Sequence, residues 1–519
     1  MKTAKSDRAK RLDKSLFEAG QQCRKRLHLD FQKPATESSD EQRRARSAAG
    51  QQLLQLARNA FPRGVEVGGS SLSEAAARTR ELLAMDASAA IFGATFQTDE
   101  LEMQTDIVLR QVDGELILYE VKTGTKVRSR YISDLALQVL AIEANGYKVR
   151  ATHILHIQHN YAHTEGQELL PQQLFKNVDV TERVRRILPH VTEQLRSFHK
   201  QLHDASVLDL PTGTYCNNPF PCPRISACAQ QGPKFSLQKL PELTPTLEAA
   251  FHEEGLIDLA TIDPLRAGLT ARQKLALRCV REGALIVEPF VREELRNIKY
   301  PLRYLVLANA TETLPRFSGQ RPWRQLPYAW ALASTHENGQ VTSVSFAFAD
   351  KADPRNEFLT SLTAQLVGGG TILCWSTEAL VSLRALIDDL PMEKARVRAL
   401  LKRSRIDMMK LFESGVFHPE LLGHHDFATT LRVLLAKQLP QALAIRSEAD
   451  AFAAMQKSWQ PRIRDATKEK LAADLKAWVE WQADGLRELH QKFSELLPKS
   501  PDPLLAPPAK SRKRLPPVA

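Results

Sequence analysis

Cysteine and long apolar runs are both scarce in this chain. Six cysteines in 519 residues are too few for a disulfide scaffold and indicate a reducing compartment. Cys279 and Cys374 lie in apolar surroundings and are expected to be buried. No stretch approaches the ~18 apolar residues that a membrane span needs, and the first seven residues carry charges where a signal peptide would be apolar. We therefore expect a cytosolic, cytoplasmic protein without a membrane partner.

Positive charge is in excess. The 71 Lys and Arg residues against 60 Asp and Glu residues give a formal net charge of +11. More than half of the excess lies in the first fifty residues, which carry 13 Lys and Arg against 7 Asp and Glu. An excess of this kind favours an anionic partner, nucleic acid first and a membrane surface second.

The pattern along the chain predicts an α/β protein with two sheet-containing units. Short β-rich runs alternate with helical patterns in both units, and a helical connector joins them. A helix is expected from about Ser133 to Asn145, with Gly146 as its C-cap. The predicted segments are 1–235, 236–298, 299–497 and 498–519, the last a Pro-rich basic tail that is expected to be disordered.

Two carboxylates and a lysine on neighbouring strands form the sharpest candidate site. Asp106 precedes a turn at Asp113-Gly114, while Glu120 and Lys122 follow it on one face of a strand. Two carboxylates can hold Mg²⁺ or Mn²⁺, which polarises a phosphoryl oxygen and lowers the pKa of bound water. A lysine beside them can stabilise the charge of the transition state. The alternative is an ordinary hairpin with charged residues on its wet face.

The length of the hairpin loop distinguishes these readings. A two-residue turn at Asp113-Gly114 would place Asp106 opposite Val121 and leave Glu120 on the wrong face. A three-residue loop from Val112 to a left-handed Gly114 places Asp106 opposite Glu120, and such a loop favours Gly at its last position. The chemistry therefore predicts the three-residue loop.

Further polar residues follow the hairpin. Lys126, Arg128 and Arg130 form a basic run suited to phosphate contacts. Gln138, one helical turn after Asp134, is placed to face the same site. We therefore assign Gln138 an orienting role and the basic run a role in nucleic-acid binding.

Four cysteines form a second candidate site. Cys216, Cys222 and Cys228 lie within thirteen residues, with prolines between them, and do not match the CxxC pairs of zinc ribbons. Cys23 is the candidate for a fourth ligand. Four cysteines without a nearby histidine favour an iron–sulfur cluster, with zinc second. Unligated cysteines in a loop remain the alternative.

The first unit resembles a known group of nucleases. Asp106…Glu120-x-Lys122 followed by Gln138 resembles the RecB-like branch of the PD-(D/E)XK nucleases. Cys23, with three more cysteines after the nuclease core, is similar to the iron–sulfur subgroup that includes the CRISPR-associated RecB-like exonucleases. This resemblance covers about residues 10 to 235. It implies a restriction-endonuclease-like mixed sheet with flanking helices, and a four-iron four-sulfur cluster on the four cysteines that joins the two ends of the domain.

The second unit resembles part of an uncharacterised bacterial family that fuses such a nuclease to a DEDD-type, ribonuclease H-like exonuclease domain. The matching stretches are Pro315-Arg316-Phe317-Ser318-Gly319-Gln320-Arg321-Pro322-Trp323, Pro327-Tyr328 and Arg405-Ile406-Asp407-Met408.

Both units depart from the patterns they resemble. The first strand of the second unit reads Leu307-Ala308-Asn309-Ala310-Thr311 and lacks the Asp-x-Glu metal pair of that family, which leaves Asp407 and Asp484. We therefore expect this domain to be inactive. In the first unit, Gly93 stands where relatives have a Glu, so one metal ligand is expected to be missing there too.

Together these features predict a metal-dependent DNA nuclease with a structural iron–sulfur cluster, in which the second unit binds nucleic acid without cutting. DNA is favoured over RNA as the substrate. The alternative is a catalytically inactive nucleic-acid-binding or scaffold protein that acts through partners. A zinc-containing interaction module is the third hypothesis.

Overall fold

A computed structural model describes residues 11–33, 41–85, 89–164, 166–424 and 426–495, with only the backbone described for 41–48. The predicted tail at 498–519 and the first ten residues lie outside these ranges. None of the helices in the described ranges combines the length and the apolar character that crossing a membrane requires.

The first part of the chain folds as helices around a mixed sheet. Its elements in chain order are α1 (Lys14–Gln22), α2 (Arg24–Gln32), α3 (Glu41–Arg58), β1 (Val65–Glu66), α4 (Leu72–Ala84), β2 (Ala90–Phe92), β3 (Thr95–Gln97), β4 (Glu102–Gln104), β5 (Ile107–Arg110), β6 (Leu116–Lys122), α5 (Ser129–Ala144), β7 (Val149–Ile157), α6 (Pro171–Leu174), β8 (Phe175–Asp179), α7 (Thr181–Gln201) and α8 (Ile225–Ala229).

The sheet of this first part has six strands in the spatial order β1-β2-β5-β6-β7-β8. The pairs β1–β2 and β6–β7 are parallel and the others are antiparallel. On one face, α5 and α7 pack together and against β7, around a core that includes Leu118, Leu135 and Ile154. The opposite face covers a separate cluster that includes Phe92, Ile107 and Leu155. The central strands β5 and β6 are therefore covered on both faces.

The remainder of the chain forms a connector and a second mixed sheet. The elements are α9 (Pro245–Glu253), α10 (Ala271–Glu282), β9 (Ile286–Val287), α11 (Pro289–Arg296), β10 (Leu302–Thr311), β11 (Gln325–Thr335), β12 (Val341–Ala347), α12 (Arg355–Gln365), β13 (Thr371–Cys374), α13 (Val381–Asp389), α14 (Lys394–Leu401), β14 (Arg405–Asp407), α15 (Met408–Gly415), β15 (Val416–Phe417), α16 (Phe427–Leu435), α17 (Glu448–Ser458) and α18 (Asp465–Glu495).

The second sheet has the order β12-β11-β10-β13-β14. Strands β10, β11 and β12 form an antiparallel meander, while β13 lies parallel to both β10 and β14. The long helix α18 packs on the meander, because its apolar positions, among them Leu475, Val479 and Leu486, are buried in one core. The mixed α/β architecture predicted from the sequence is confirmed.

Local signals in the sequence had mixed outcomes. Helix α5 begins at Ser129 and not near Ser133, and Arg128 before it is extended. The helix ends as predicted, with Gly146 at a φ of +86°. Strands β14 and β15 have only three and two residues, and runs this short carry too little periodicity to be recognised in the sequence. Strand β15 pairs with β9 of the connector, so the connector and the second unit share a small sheet.

Candidate active site

The hairpin of β5 and β6 places Asp106 opposite Glu120. Ile107 pairs with Tyr119, and the register continues to the next pair of residues. The Gln111 N–H donates to the Glu115 carbonyl at 2.8 Å, which leaves a three-residue loop, and Gly114 at its end has a φ of +84°. The predicted loop is confirmed. The Val121 N–H donates to Asp106 Oδ2 at 2.7 Å and fixes one carboxylate oxygen.

Glu120 is also part of an ionic group, which consists of two carboxylates and two lysines. Lys122 Nζ lies 2.7 Å from Glu120 Oε1 and 2.8 Å from Asp134 Oδ2. Lys14 Nζ lies 3.0 Å from the same glutamate oxygen and 2.9 Å from the same aspartate oxygen. Glu120 and Asp134 are buried. Each carboxylate is thus shared by both ammonium groups, which offsets the cost of removing charge from water.

Two helices bring Lys14 and Asp134 to Glu120, although both residues are distant from it in sequence. Asp13 caps α1 by accepting from the Leu16 N–H at 2.7 Å, so the helix begins at Lys14. Asp134 and Gln138 are four residues apart on α5 and therefore share one face. Gln138 Nε2 donates to Glu120 Oε2 at 2.8 Å. The predicted contribution of Gln138 to the group is consistent with this contact.

The pKa values reflect the crowding of carboxylates. Burial, followed by the charge of Glu120, raises the pKa of Asp106 to about 7. Burial opposes ionisation of Glu120, but the ammonium groups of Lys122 and Lys14 hold the pKa of Glu120 below its usual range. Burial and the charge of Asp134 raise the pKa of Glu18, on α1. Asp106 is therefore poised to gain or lose a proton near neutral pH.

Sequence reasoning missed Lys14 as a member of the site and gave Asp134 no role. Lys14 is 106 residues from Glu120, and a lysine in a basic N-terminal segment carries no distinguishing signal. Asp134 could have been found from its spacing to Gln138, since a residue four positions before a site residue on a helix lies on the same face.

The predicted basic run occupies the loop and helix that follow β6. Lys126 and Arg128 are exposed, whereas Arg130 is partly buried. The Arg130 guanidinium lies 5.1 Å from the centre of the Tyr131 ring, and Lys122 Nζ lies 4.9 Å from the same centre. The run therefore leads from the surface to the lysine of the ionic group.

Gly93 lies in the same row of the sheet as the two facing carboxylates. Its N–H donates to the Asp106 carbonyl at 3.2 Å, which continues the pairing of Phe92 with Ile107. The φ of Gly93 is +69°, a backbone conformation that residues other than glycine rarely adopt. Position 93 thus contributes no side chain, and its backbone turn is one that glycine favours.

The donor set at this site suits a hard cation with few protein ligands. Within the described residues, no three or more His, Cys, Asp and Glu side chains lie together as a metal-binding group. Mg²⁺ is commonly held by one or two carboxylates, with water and substrate phosphates completing its shell. Asp106 and Glu120 face each other and fit that description.

The four cysteines are brought into one neighbourhood. Cys23 separates α1 from α2, and the preceding Gln22 donates from Nε2 to the Phe220 carbonyl at 2.7 Å. Burial raises the pKa of the Cys216 thiol, and the nearby sulfurs of Cys23, Cys222 and Cys228 raise it further.

Other contacts hold the segment that contains Cys216, Cys222 and Cys228 in place, one of them to α2. The Cys222 N–H donates to the Cys216 carbonyl at 2.7 Å, and the Arg224 guanidinium lies 2.7 Å from Asp30 on α2. All four cysteines are free. Within the described residues, the four thiols do not form a recognisable metal-binding group. In number and chemical type they match the four thiolates that hold a four-iron four-sulfur cluster.

In the part of the second unit that the structure describes, no comparable group is found. Asp407 ends β14 and caps α15, where it accepts from Lys410 N–H at 3.0 Å and from the Thr377 hydroxyl at 2.6 Å. Asp484 lies on α18 beside Arg487. Asn309 donates from its amide to the Ala379 carbonyl at 3.3 Å. Asp407 therefore has a structural role that accounts for both of its oxygens.

A basic cavity of about 250 Å³ lies at the junction of the connector and the second unit, and Lys234, Lys239 and Arg432 line it. Both lysine ammonium groups lie within 6 Å of the Phe235 ring centre. Glu420 forms an ion pair with Arg432 at 3.2 Å. The surplus of cations makes this cavity attractive to anions.

A family model described as a domain of unknown function (DUF2779) matches residues 309–426, from the end of β10 to the residue before α16. No curated protein matches the chain. The matched region contains Trp323 and the segment around it, and it excludes the hairpin of Asp106 and the four cysteines.

Proposed function

We propose that the chain is a metal-dependent DNA nuclease whose first unit cleaves phosphodiester bonds. The observation that carries the proposal is the register of the hairpin, which sets Asp106 opposite Glu120 with Lys122 two residues farther along the same strand. An ordinary solvent-facing hairpin does not explain why Glu120 is buried with two lysines around it.

Each side chain of the group has a separate task in this proposal. Asp106 and Glu120 would hold Mg²⁺ or Mn²⁺. When bound, such a cation polarises a phosphoryl oxygen and lowers the pKa of a water molecule. Lys122 stabilises the negative charge that develops on the phosphoryl group. Gln138 fixes the orientation of Glu120, and Asp134 fixes that of Lys122.

The strand orders support specific fold assignments. The six-stranded mixed sheet is compatible with a RecB-like, PD-(D/E)XK nuclease core. The second sheet, with its antiparallel meander followed by two parallel strands beside β10, is compatible with a ribonuclease H-like domain. The capping role of Asp407 argues against cleavage by this second domain.

An iron–sulfur cluster on Cys23, Cys216, Cys222 and Cys228 belongs to the same proposal. The cluster would join α1 to the segment that contains α8, and α1 carries Lys14 into the ionic group. Its task is structural, because the cysteines lie on the elements that position the site and not among the carboxylates.

A cleavage assay tests the proposal directly. Protein prepared without oxygen and incubated with labelled single- and double-stranded DNA should cleave with Mn²⁺ and not with EDTA. Asp106→Asn should abolish cleavage. Asp113→Asn is the matched control, since Asp113 lies in the loop of the same hairpin, where it forms an ion pair with the exposed Arg150 and accepts from the Glu115 N–H at 3.0 Å. Cleavage that persists in Asp106→Asn would refute the assignment.

Metal binding should depend on pH through Asp106. Because its pKa is about 7, the folded protein holds a proton there that the cation must displace. We expect affinity for Mn²⁺ to fall about tenfold between pH 8 and pH 6. The same raised pKa lowers the stability of the metal-free protein as pH rises toward 7, since the folded state binds more protons than the unfolded state. Thermal unfolding with and without Mn²⁺ measures the pH dependence of the affinity and that of the stability. Asp106→Asn should remove both of these pH dependences.

Lys14 should compete with the metal. Its ammonium group lies on Glu120, where a cation would bind, so removing it leaves one lysine to neutralise two carboxylates. We expect Lys14→Met to raise Mn²⁺ affinity about fivefold, which corresponds to about 1 kcal/mol. Isothermal titration calorimetry provides the measurement. Weaker binding in Lys14→Met would mean that Lys14 supports the metal site and does not compete with it.

A second function is favoured by a specific observation. Two lysines already neutralise Glu120 and Asp134, and Gly93 supplies no third ligand beside Asp106. This balance is what a nucleic-acid-binding or scaffold protein with an inactive nuclease fold would retain. Tight, salt-sensitive DNA binding without Mn²⁺-dependent cleavage would establish that alternative.

A further inference from the structure

Trp323 is an exposed aromatic residue with an unfavourable backbone conformation. Its exposed fraction is 39%, and its φ is +61°. A bulky residue in the left-handed region is strained and persists where surrounding contacts enforce it. The strain and exposure together suggest that the ring serves a purpose other than packing.

The indole of Trp323 is held beside the candidate active site. Its Nε1–H donates to the Thr123 carbonyl at 2.7 Å, across 200 residues of sequence. Thr123 directly follows Lys122, the lysine of the ionic group. A residue of the second unit thus stands next to the end of the strand that carries Glu120 and Lys122.

The loop that carries Trp323 is built to be rigid. The buried Gln320 side chain accepts from the N–H groups of Arg316 at 2.8 Å and Phe317 at 3.1 Å. Arg355, only 1% exposed, donates to the Ser318 carbonyl at 2.6 Å. The Trp323 N–H donates to the Glu312 carbonyl at 3.0 Å. The ring is therefore fixed with little freedom to lose on binding.

The same loop docks on the first unit through its backbone. The His163 N–H donates to the Gln320 carbonyl at 3.0 Å, and the Gly319 N–H donates to the His163 carbonyl at 2.9 Å. Leu314 packs against the apolar cluster on one face of the first sheet. These contacts set the position of Trp323 relative to Lys122, independently of its own indole hydrogen bond.

We propose that the Trp323 ring is a stacking platform for a base of single-stranded nucleic acid that reaches Lys122. The exposed cations Lys126 and Arg128, four and six residues after Lys122, would contact the backbone of the same strand. Rigid aromatic rings beside cations bind unpaired strands without sequence preference, whereas bases in a duplex keep their faces stacked. The proposal rests on the proposed nuclease function and names single strands as its substrate class.

Binding in EDTA separates this role from cleavage. The probe is an oligo-dT strand of about 12 nucleotides, which is within the range of such sites, compared with a blunt duplex. Trp323→Ala should weaken binding of the single strand about tenfold, the effect of losing one stacked base, and leave duplex binding unchanged. Trp323→Phe keeps a ring and loses the N–H, so it should bind within about twofold of the wild type.

Fluorescence and a matched variant control the experiment. Quenching of tryptophan emission by oligo-dT should disappear in Trp323→Phe. Phe290→Ala removes an aromatic ring of similar exposure, 38%, from α11 and should change nothing. Thermal unfolding of each variant shows whether it is folded, and Trp323→Phe carries the test if Trp323→Ala is not.

The outcomes separate the two proposals. Equal binding by all Trp323 variants, with no loss of quenching, would overturn the platform. Equal weakening in Trp323→Ala and Trp323→Phe would also overturn it, and would assign Trp323 to the contact with Thr123. Quenching without Mn²⁺-dependent cleavage by the wild type would support the platform and reject the nuclease. Mn²⁺-dependent cleavage that no Trp323 substitution alters would support the nuclease and reject the platform.

Discussion

Replacing Lys122 with alanine is expected to reduce DNA cleavage by at least about a hundredfold while DNA binding stays within about twofold. The ammonium group of Lys122 bridges Glu120 and Asp134, and in the proposed function it stabilises charge on a phosphoryl oxygen. Loss of a single pre-oriented donor of this kind typically costs a factor of 10² to 10³ in rate. Single-turnover cleavage of a labelled strand measures the rate, and fluorescence anisotropy in EDTA measures the binding.

Lys126→Ala is the matched control for Lys122→Ala. Lys126 lies on the same loop but is exposed, so its loss should weaken binding and its salt dependence without abolishing cleavage at saturating DNA. The reverse pattern, with cleavage surviving in Lys122→Ala, would show that the ionic group has a purely structural role. Loss of binding together with cleavage in Lys122→Ala would place that lysine in substrate binding.

If the proposed iron–sulfur cluster is present, replacing Cys216 with serine should remove it and destabilise the first unit. Anaerobically purified wild type should be brown and absorb near ~400 nm, as thiolate-ligated iron does, and Cys216→Ser should not. Because the free energy of binding a structural metal group contributes to folding, we expect the unfolding temperature to fall by about 10 °C, given about 2–4 °C per kcal/mol for a unit of this size.

Cys279 provides the control for this experiment. It is buried on α10, in an apolar cluster that includes Leu275 and Leu277 of the connector. Cys279→Ser should retain the colour and the iron content. Colourless wild-type protein with one equivalent of zinc would instead support the zinc-containing module, and protein without metal would support unligated cysteines. Iron and zinc analysis of the anaerobic preparation distinguishes these results.

The hairpin could be predicted from sequence because its parts are close together. The Asp113-Gly114 signal and the alternation in β6 left two registers, and only the three-residue loop brings Asp106 and Glu120 to one face. The structure contains that loop. Local information was sufficient because the whole unit spans fewer than twenty residues.

The contribution of Lys14 could not be predicted in this way. Its place depends on the capping of α1 by Asp13 and on the docking of α1 in the tertiary fold. Neither has a periodic signal that reaches β6. Trp323 was similarly beyond reach, because its position depends on the buried side chains of Gln320 and Arg355. A residue whose role depends on its position in the tertiary structure can be assigned that role only after the fold is known.

The contact between Gln22 and the Phe220 carbonyl has a consequence for protein synthesis. The first helix emerges from the ribosome about two hundred residues before the segment to which it binds. Lys14 therefore lacks the support of that segment until residues near 220 have been translated. Trp323 arrives another hundred residues later. A nascent chain would thus expose the carboxylate hairpin well before it could assemble the full surface around it, and completion of the site would be coupled to completion of the polypeptide.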